Sequence, residues 1–202
     1  MSAGEVPLVE LDALAGPARD RELVARCRGG DPVAFARLVA LHEGMVFNLA
    51  ARLLGDGEEA RDVAQEVFLQ VYRRLGRFEG RSSLKTWIYR IVVNHCQKRR
   101  GRDKQEVLDE RFAASDEGRG GWAVSPYEAT RRRERADRVQ SALLALSFEQ
   151  RSVLVLREVE GLSCEEVAAT LGIPDGTVKS RLSRAREALR ARLVDLLEEG
   201  VR

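Results

Sequence analysis

Phe35, Leu38, Val39, Val46, Leu49, Ala50 and Leu53 follow one another largely at spacings of three and four, which puts apolar side chains on one face of a helix. Asp31-Pro32 just before them is a start signal: a carboxylate for the first free N–H groups, then a proline preset for the first helical position. Gly55-Asp56-Gly57 breaks the pattern. It resumes with Ala60, Val63, Ala64, Val67, Phe68, Val71 and Leu75, and the other side of that helix carries Asp62, Gln65, Glu66 and Arg73. Past residues 76–80, Ser82 or Ser83 caps a further helix with Leu84, Trp87, Ile88, Ile91 and Val92 as its stripe. Residues 1–19 contain Gly4, Pro7, Gly16 and Pro17 without a sustained period and are expected to form a flexible or loosely docked tail. The first helical domain is placed at residues 20–102.

Residues 103–130 read as a linker, because residues 116–121 are polar and turn-rich and Ser125-Pro126 is a helix-breaking pair. Trp122 and Tyr127 are unexpected in a pure spacer; they either dock on a domain or reach a partner. From about Arg131 the helical period returns with Val139, Leu143, Leu144 and Leu146, opening a second domain at residues 131–202. Ser147 and Gln150 form a capping box ahead of Val153, Leu154, Leu156 and Val159, and Gly161 ends that helix. A second capping box, Ser163 with Glu166, starts a short helix with Val167, Ala168 and Leu171 inward. Gly172 suits its left-handed end, Ile173 plugs the turn, and Pro174 restarts a helix carrying Val178, Leu182, Ala185, Leu189 and Leu193. A short helix, a glycine turn and a longer basic helix make a helix-turn-helix, whose second helix enters the major groove. Ser180, Ser183, Arg184 and Glu187 lie opposite the apolar arc, with Lys179 and Arg181 on its flanks. No period-two alternation occurs, so the predicted class is all-α: two small helical domains joined by a flexible linker, the C-terminal one a helix-turn-helix.

Composition agrees with helix, with hydrophobic residues at 44%, charged residues at 33% and aromatics at only 5%. The net charge of +2 says little about nucleic acid, but its distribution says more. Arg77, Arg81, Lys85, Arg90, Lys98, Arg99, Arg100, Arg102 and Lys104 face only Glu79 and Asp103, and Lys179, Arg181, Arg184, Arg186, Arg190 and Arg192 form a second basic cluster. Two basic segments on a nearly neutral chain point to two places where phosphates are met, against the plain reading of two solvated helix faces. The face with Asp62, Gln65 and Glu66 is either solvated surface or a dock for a basic helix.

Cys27, Cys96 and Cys164 are odd in number and widely spaced, so they read as small, partly buried residues; no metal site and no cofactor is expected. His42 and His95 are isolated in helical patterns, with no phosphate loop or nucleophile elbow, which argues against an enzyme. No apolar run reaches the roughly 18–20 residues of a membrane span, and the first residues lack a basic-then-apolar signal. A cytoplasmic protein without membrane insertion is expected.

The segment Arg61-Asp62-Val63-Ala64-Gln65-Glu66-Val67-Phe68 resembles the polymerase-binding stretch of bacterial sigma factors of the extracytoplasmic-function group. Residues 78–94, from Phe78-Glu79-Gly80-Arg81-Ser82-Ser83-Leu84-Lys85-Thr86-Trp87 to Asn94, resemble that family's −10 loop and helix. Residues 146–157, 160–163 and 176–186 resemble its region 4, which binds the −35 element. The resemblance covers about residues 20–100 and 131–195. It implies that Asp62, Gln65 and Glu66 clamp the β′ subunit of core RNA polymerase, with the β subunit as a further partner. It implies that Phe78, Glu79, Gly80, Arg81 and Ser82 hold a flipped base of the −10 element, where Lys85, Tyr89, Arg90, Asn94 and Lys98 add contacts. Thr177, Lys179, Ser180, Arg181, Ser183 and Arg184 would face the −35 element. Such factors are commonly held by an anti-sigma protein and are expected to be monomeric when free. Ser183 stands where some relatives carry a bulkier side chain, and residues 81 and 82 vary across the family, which leaves the preferred bases open. The rival reading is a stand-alone helix-turn-helix regulator. It gives residues 77–104 no task and would normally dimerise.

Overall fold

The computed structural model describes residues 16–106 and 126–199, and the side chains of 16–101 and 135–194. Within them lie eight α-helices and no strand: α1 Gly16–Arg28, α2 Pro32–Leu54, α3 Gly57–Arg74, α4 Leu84–Glu106, α5 Pro126–Leu144, α6 Phe148–Leu154, α7 Cys164–Leu171 and α8 Asp175–Glu199. Trp122 lies outside the described residues, as does the Tyr127 side chain.

The caps are those the residue types favour. Asp31 accepts from the Val33 and Ala34 N–H groups at 2.8 and 3.1 Å, with Pro32 at the head of α2. Asp56 does the same for Glu58 and Glu59 at α3. Ser83, not Ser82, caps α4, its hydroxyl accepting from the Thr86 N–H at 3.0 Å. Both capping boxes form, at Ser147–Gln150 and Ser163–Glu166, and Gly172 takes φ +67 at the end of α7. Two expected boundaries move. α1 starts at Gly16, inside the expected tail. α5 starts at Pro126, so the Ser-Pro pair opens a helix instead of breaking one, as proline's fixed φ permits in the first turn.

α2 is the central helix, packed against α1, α3 and α4, with Leu38, Val46, Leu49 and Leu53 fully buried. Among the described helices it alone is long and apolar enough to cross a membrane, and it is here the core of a helical bundle. α3 contributes Ala60, Val63, Val67 and Val71. The second domain packs α6 and α7 on α8 around Val153, Leu156, Val167, Val178, Leu182 and Ala185. Val139, expected in the first stripe of that domain, is instead exposed, while Leu143 and Leu146 are buried.

The two domains are packed on each other, and their apolar residues form one continuous core. That explains the breadth of the buried surface on α4. Beyond the predicted stripe it buries Tyr89, Val93 and Cys96, because α7 lies against it as well as α2 and α3. The three cysteines are free, and burial pushes the Cys27 and Cys96 thiols up to about 11 and about 12.

Gly55 ends α2 at φ +86 and receives Leu144 of the second domain so closely that a Cβ would lie 2.5 Å from its Cδ1. Gly55→Ala therefore combines left-handed strain with overpacking. It is expected to lower unfolding stability by about 1–2 kcal/mol in a urea titration.

Candidate nucleic-acid interface

α8 shows how sequence builds a reading face. Val178, Leu182 and Ala185 are buried against α6 and α7, which leaves Lys179, Ser180, Ser183 and Arg184 exposed and Thr177 and Arg181 half-buried. Lys179 is held by Asp175 at 2.6 Å, and that bond raises its pKa. The Ser180 hydroxyl donates to the Thr177 carbonyl at 3.1 Å. Arg181 stands close enough to Glu149 to help lower its pKa, behind the backbone hydrogen bond that leads the causes. Arg184 projects from the helix as an exposed cation.

The loop before α4 is a second exposed feature. Glu79, Gly80, Arg81 and Ser82 are all exposed; Gly80 turns the chain at φ +71, and Arg81 pairs with Glu79 at 2.6 Å. Its base is anchored twice. The Phe78 ring tilts onto Trp87 with centroids 5.2 Å apart, and the Phe78 carbonyl accepts from the Arg28 guanidinium of α1. Asn94 and Lys98 are exposed further along α4.

Three residues expected beside them are placed differently. Tyr89 is 0% exposed, and its hydroxyl donates to the Glu160 carboxylate of the second domain. Burial, then that bond, pushes the phenol well above its usual range. Lys85 donates to the Glu160 carbonyl at 3.3 Å and sits 5.3 Å from the Tyr89 ring centroid. Arg90 donates to the Ala169 and Thr170 carbonyls. The period along α4 left Tyr89 off the core stripe, and the packing of α7 buries it.

The acidic face of α3 is outward, but α4 has already met it. Arg99 bridges Asp62 at 2.9 Å and Glu66 at 3.2 Å, and His95 shares Glu66 and Gln70. Thus one of the basic residues expected at phosphates faces carboxylates instead. Gln65 is exposed, and Leu69 and Tyr72 one and two turns on are 58% and 67% exposed, so the face combines charge with apolar surface. Among the described residues no cluster of His, Cys, Asp and Glu suited to a metal occurs.

Sequence reading missed Arg28, Gln140, Arg151 and Glu160, all of which act across long separations. Only Arg151 left a local sign, a cation before the apolar run of α6.

The arrangement matches known proteins along most of its length. Sigma-70 region 2 matches residues 38–106, and Sigma-70, region 4 matches residues 136–189. The RNA polymerase sigma-H factor of Pseudomonas aeruginosa is 38% identical, covering 90% of this chain and 97% of the relative. The ECF RNA polymerase sigma factor SigW of Bacillus subtilis is 34% identical, covering 87% and 97%. Among solved structures, the sigma factor RpoE in complex with the anti-sigma factor NepR from Bartonella quintana aligns with a TM-score of 0.64 at 27% identity, over 79% of this chain and 96% of that one. The chain belongs to the sigma-70 family, in its extracytoplasmic-function group.

Proposed function

We propose that this chain is a transcription initiation factor that brings core RNA polymerase to specific promoters and leaves the chemistry to the polymerase. The observation that carries this is the presence, in one chain, of two separate exposed polar features in the two regions that match the family: the loop and helix from Phe78 to Lys98, and α8. Asp62, Gln65 and Glu66 dock on the β′ subunit, and the β subunit completes the contact. Phe78, Glu79, Gly80, Arg81 and Ser82 hold an unstacked −10 base, which offsets the few kcal/mol lost as the duplex opens. Asn94 and Lys98 contact the same element, joined by Lys85, Tyr89 and Arg90 only where these leave Glu160, Ala169 and Thr170, and Thr177, Lys179, Ser180, Arg181, Ser183 and Arg184 meet the −35 element. An anti-sigma protein is the expected inhibitor, the cytoplasm the site of action, and a monomer the free state. The test is run-off transcription with core polymerase on a promoter library. Binding and regulation by the chain alone, without polymerase, would favour the stand-alone regulator.

Asn94 and Lys98 separate two kinds of contact. Asn is short and both donates and accepts, which suits a base edge, whereas a lysine serves phosphates. Asn94→Ala is expected to change which −10 base is preferred in transcription from promoters substituted one base at a time. Lys98→Ala is expected to lower all of them evenly and to flatten the salt dependence. An even loss in Asn94→Ala would make its role structural.

A further inference from the structure

The loop assigned to the flipped −10 base is fixed at both ends. At its far end Ser83 caps α4, its hydroxyl meeting the Thr86 hydroxyl at 2.7 Å as well as the Thr86 N–H. At its near end the anchor comes from a distant part of the chain. Arg28, 50 positions earlier, stands in the last turn of α1 and donates to the Phe78 carbonyl. That arginine starts from a firm base. The end of α1 is closed by the Gly30 and Asp31 N–H groups on the Cys27 and Arg26 carbonyls at 3.1 and 3.2 Å, and Asp31 then caps α2. α1 also packs on the short 3-10 turn Leu75–Arg77 that leads into the loop, where Leu75 is buried. The Phe78–Glu79 peptide is trans and planar, so with its carbonyl on Arg28 its N–H points the opposite way. Between the two anchors stand Glu79, Gly80, Arg81 and Ser82, all exposed. Rotation of that one peptide therefore re-aims the donors and acceptors the loop offers.

We propose that Arg28 is a positioning residue for base selection at the −10 element: it holds the Phe78–Glu79 peptide in one plane, so that residues 79–82 meet the flipped base in a single orientation. The inference rests on the assignment of that loop given above. Arg28 precedes residues 38–106, which match Sigma-70 region 2, and lies in no stretch assigned to DNA or polymerase. Its effect is on discrimination more than on affinity. A loop free to swing still accepts a base, but it adapts to right and wrong bases alike. A fixed set of donors and acceptors rejects the base that leaves them unpaired. The Phe78 ring on Trp87 sets the depth of the loop stem, and the Arg28 hydrogen bond sets its rotation, so the two anchors do different work.

The experiment uses the full chain with Arg28→Met and Arg28→Lys, the second of which keeps a charged donor on a long stem. Arg28 is exposed, so neither substitution enters the core, and circular dichroism is expected to be unchanged. Run-off transcription with core polymerase is measured on promoters substituted one base at a time across the −10 and −35 elements. Arg28→Met is expected to flatten the preference at the flipped base about fivefold, the scale of one net hydrogen bond, and to leave the −35 preferences unchanged. Arg28→Lys is expected to recover most of that preference. The anchor itself is read without DNA from Trp87. In a Trp122→Phe background, which leaves Trp87 the one tryptophan of two, acrylamide quenching should rise in Arg28→Met and return toward wild type in Arg28→Lys. Unchanged quenching overturns the anchor. Greater quenching with an unchanged base preference overturns the role in selection. An even loss on every promoter, with a weaker salt dependence, makes Arg28 a phosphate contact and overturns it as well. Failure of the functional reading shows separately, as absence of run-off transcription by the wild-type chain, and the quenching comparison still decides the anchor.

Discussion

Replacing Arg151 by alanine is expected to lower the unfolding free energy by about 3 kcal/mol, the largest stability effect of any single polar substitution considered in this chain. The side chain is only 2% exposed and has no carboxylate partner among the described residues; its guanidinium is satisfied by backbone carbonyls. It donates to Leu143 at 2.9 Å, to Leu144 at 2.6 Å, to Leu146 at 3.1 Å and to Leu53. These acceptors lie at or just beyond the ends of α5 and α2, where helix geometry leaves carbonyls without intrahelical donors. One planar fork thus caps two helices from two domains, and both dipoles favour its charge. Burial first, then Arg100, lowers its pKa to about 10, so it stays charged at neutral pH. Deleting a buried charge with its desolvation cost can be neutral when the partners leave too. Here the carbonyls remain; Leu143 keeps the Leu146 N–H at 3.1 Å, but Leu53, Leu144 and Leu146 lose the guanidinium, so the loss wins. Arg151→Met keeps most of the volume and separates lost hydrogen bonds from an empty cavity; most of the loss should persist. The measurement is the urea midpoint and slope of each variant. A change within about 0.5 kcal/mol for Arg151→Ala would mean that water replaces the guanidinium at both helix ends.

The residues that made the fold legible are those whose effect is local. Asp31, Ser147, Ser163 and Gly172 act within a few positions of themselves, and each is found in the conformation its residue type favours. The same locality explains the helix-turn-helix, since α7, its turn and the start of α8 carry their own instructions. Misplaced features have a non-local cause or an ambiguous local one. Proline after serine fits the start of a helix as well as its end, and α5 takes the first option. Val139 has the right spacing for the core, yet it is 43% exposed. Tyr89 lay outside the predicted apolar stripe of α4 because that stripe assumes one packed side, and α4 has two. Glu160 and Arg52 are 108 positions apart, and no pattern in the chain pairs them. For the candidate site, Lys179, Ser180, Ser183 and Arg184 were legible as an exposed face because α8 is amphipathic over that stretch. The engagement of Lys85 and Arg90 by α7 and its flanks was not, because it depends on how two domains meet.

Asp62→Ala combined with Glu66→Arg is expected to weaken binding to core RNA polymerase by about 100-fold while leaving the fold in place. The two carboxylates stand on the outward side of α3, opposite Val63, Val67 and Val71, so neither substitution enters the core. Their internal partners are Arg99 for both and His95 for Glu66, exposed or half-buried pairs of the kind that contribute little to stability. Arg99 bridges both carboxylates, so a cation of a docked helix would have to compete with it for them. Glu66→Arg does more than remove an attraction. It sets an arginine beside Arg99 and opposes any basic partner, and like-charge contact in a desolvated interface costs several kcal/mol. Leu69 and Tyr72 continue the same face as exposed apolar surface, which supplies burial once the charges have aligned the partner. The loss should therefore appear mainly in the dissociation rate, and raising salt should narrow the gap between variant and wild type without closing it. Competition binding of labelled chain to core polymerase at two ionic strengths reads both effects. An unchanged affinity, with unchanged circular dichroism, would show that the acidic face of α3 is only solvated surface and that polymerase docks elsewhere.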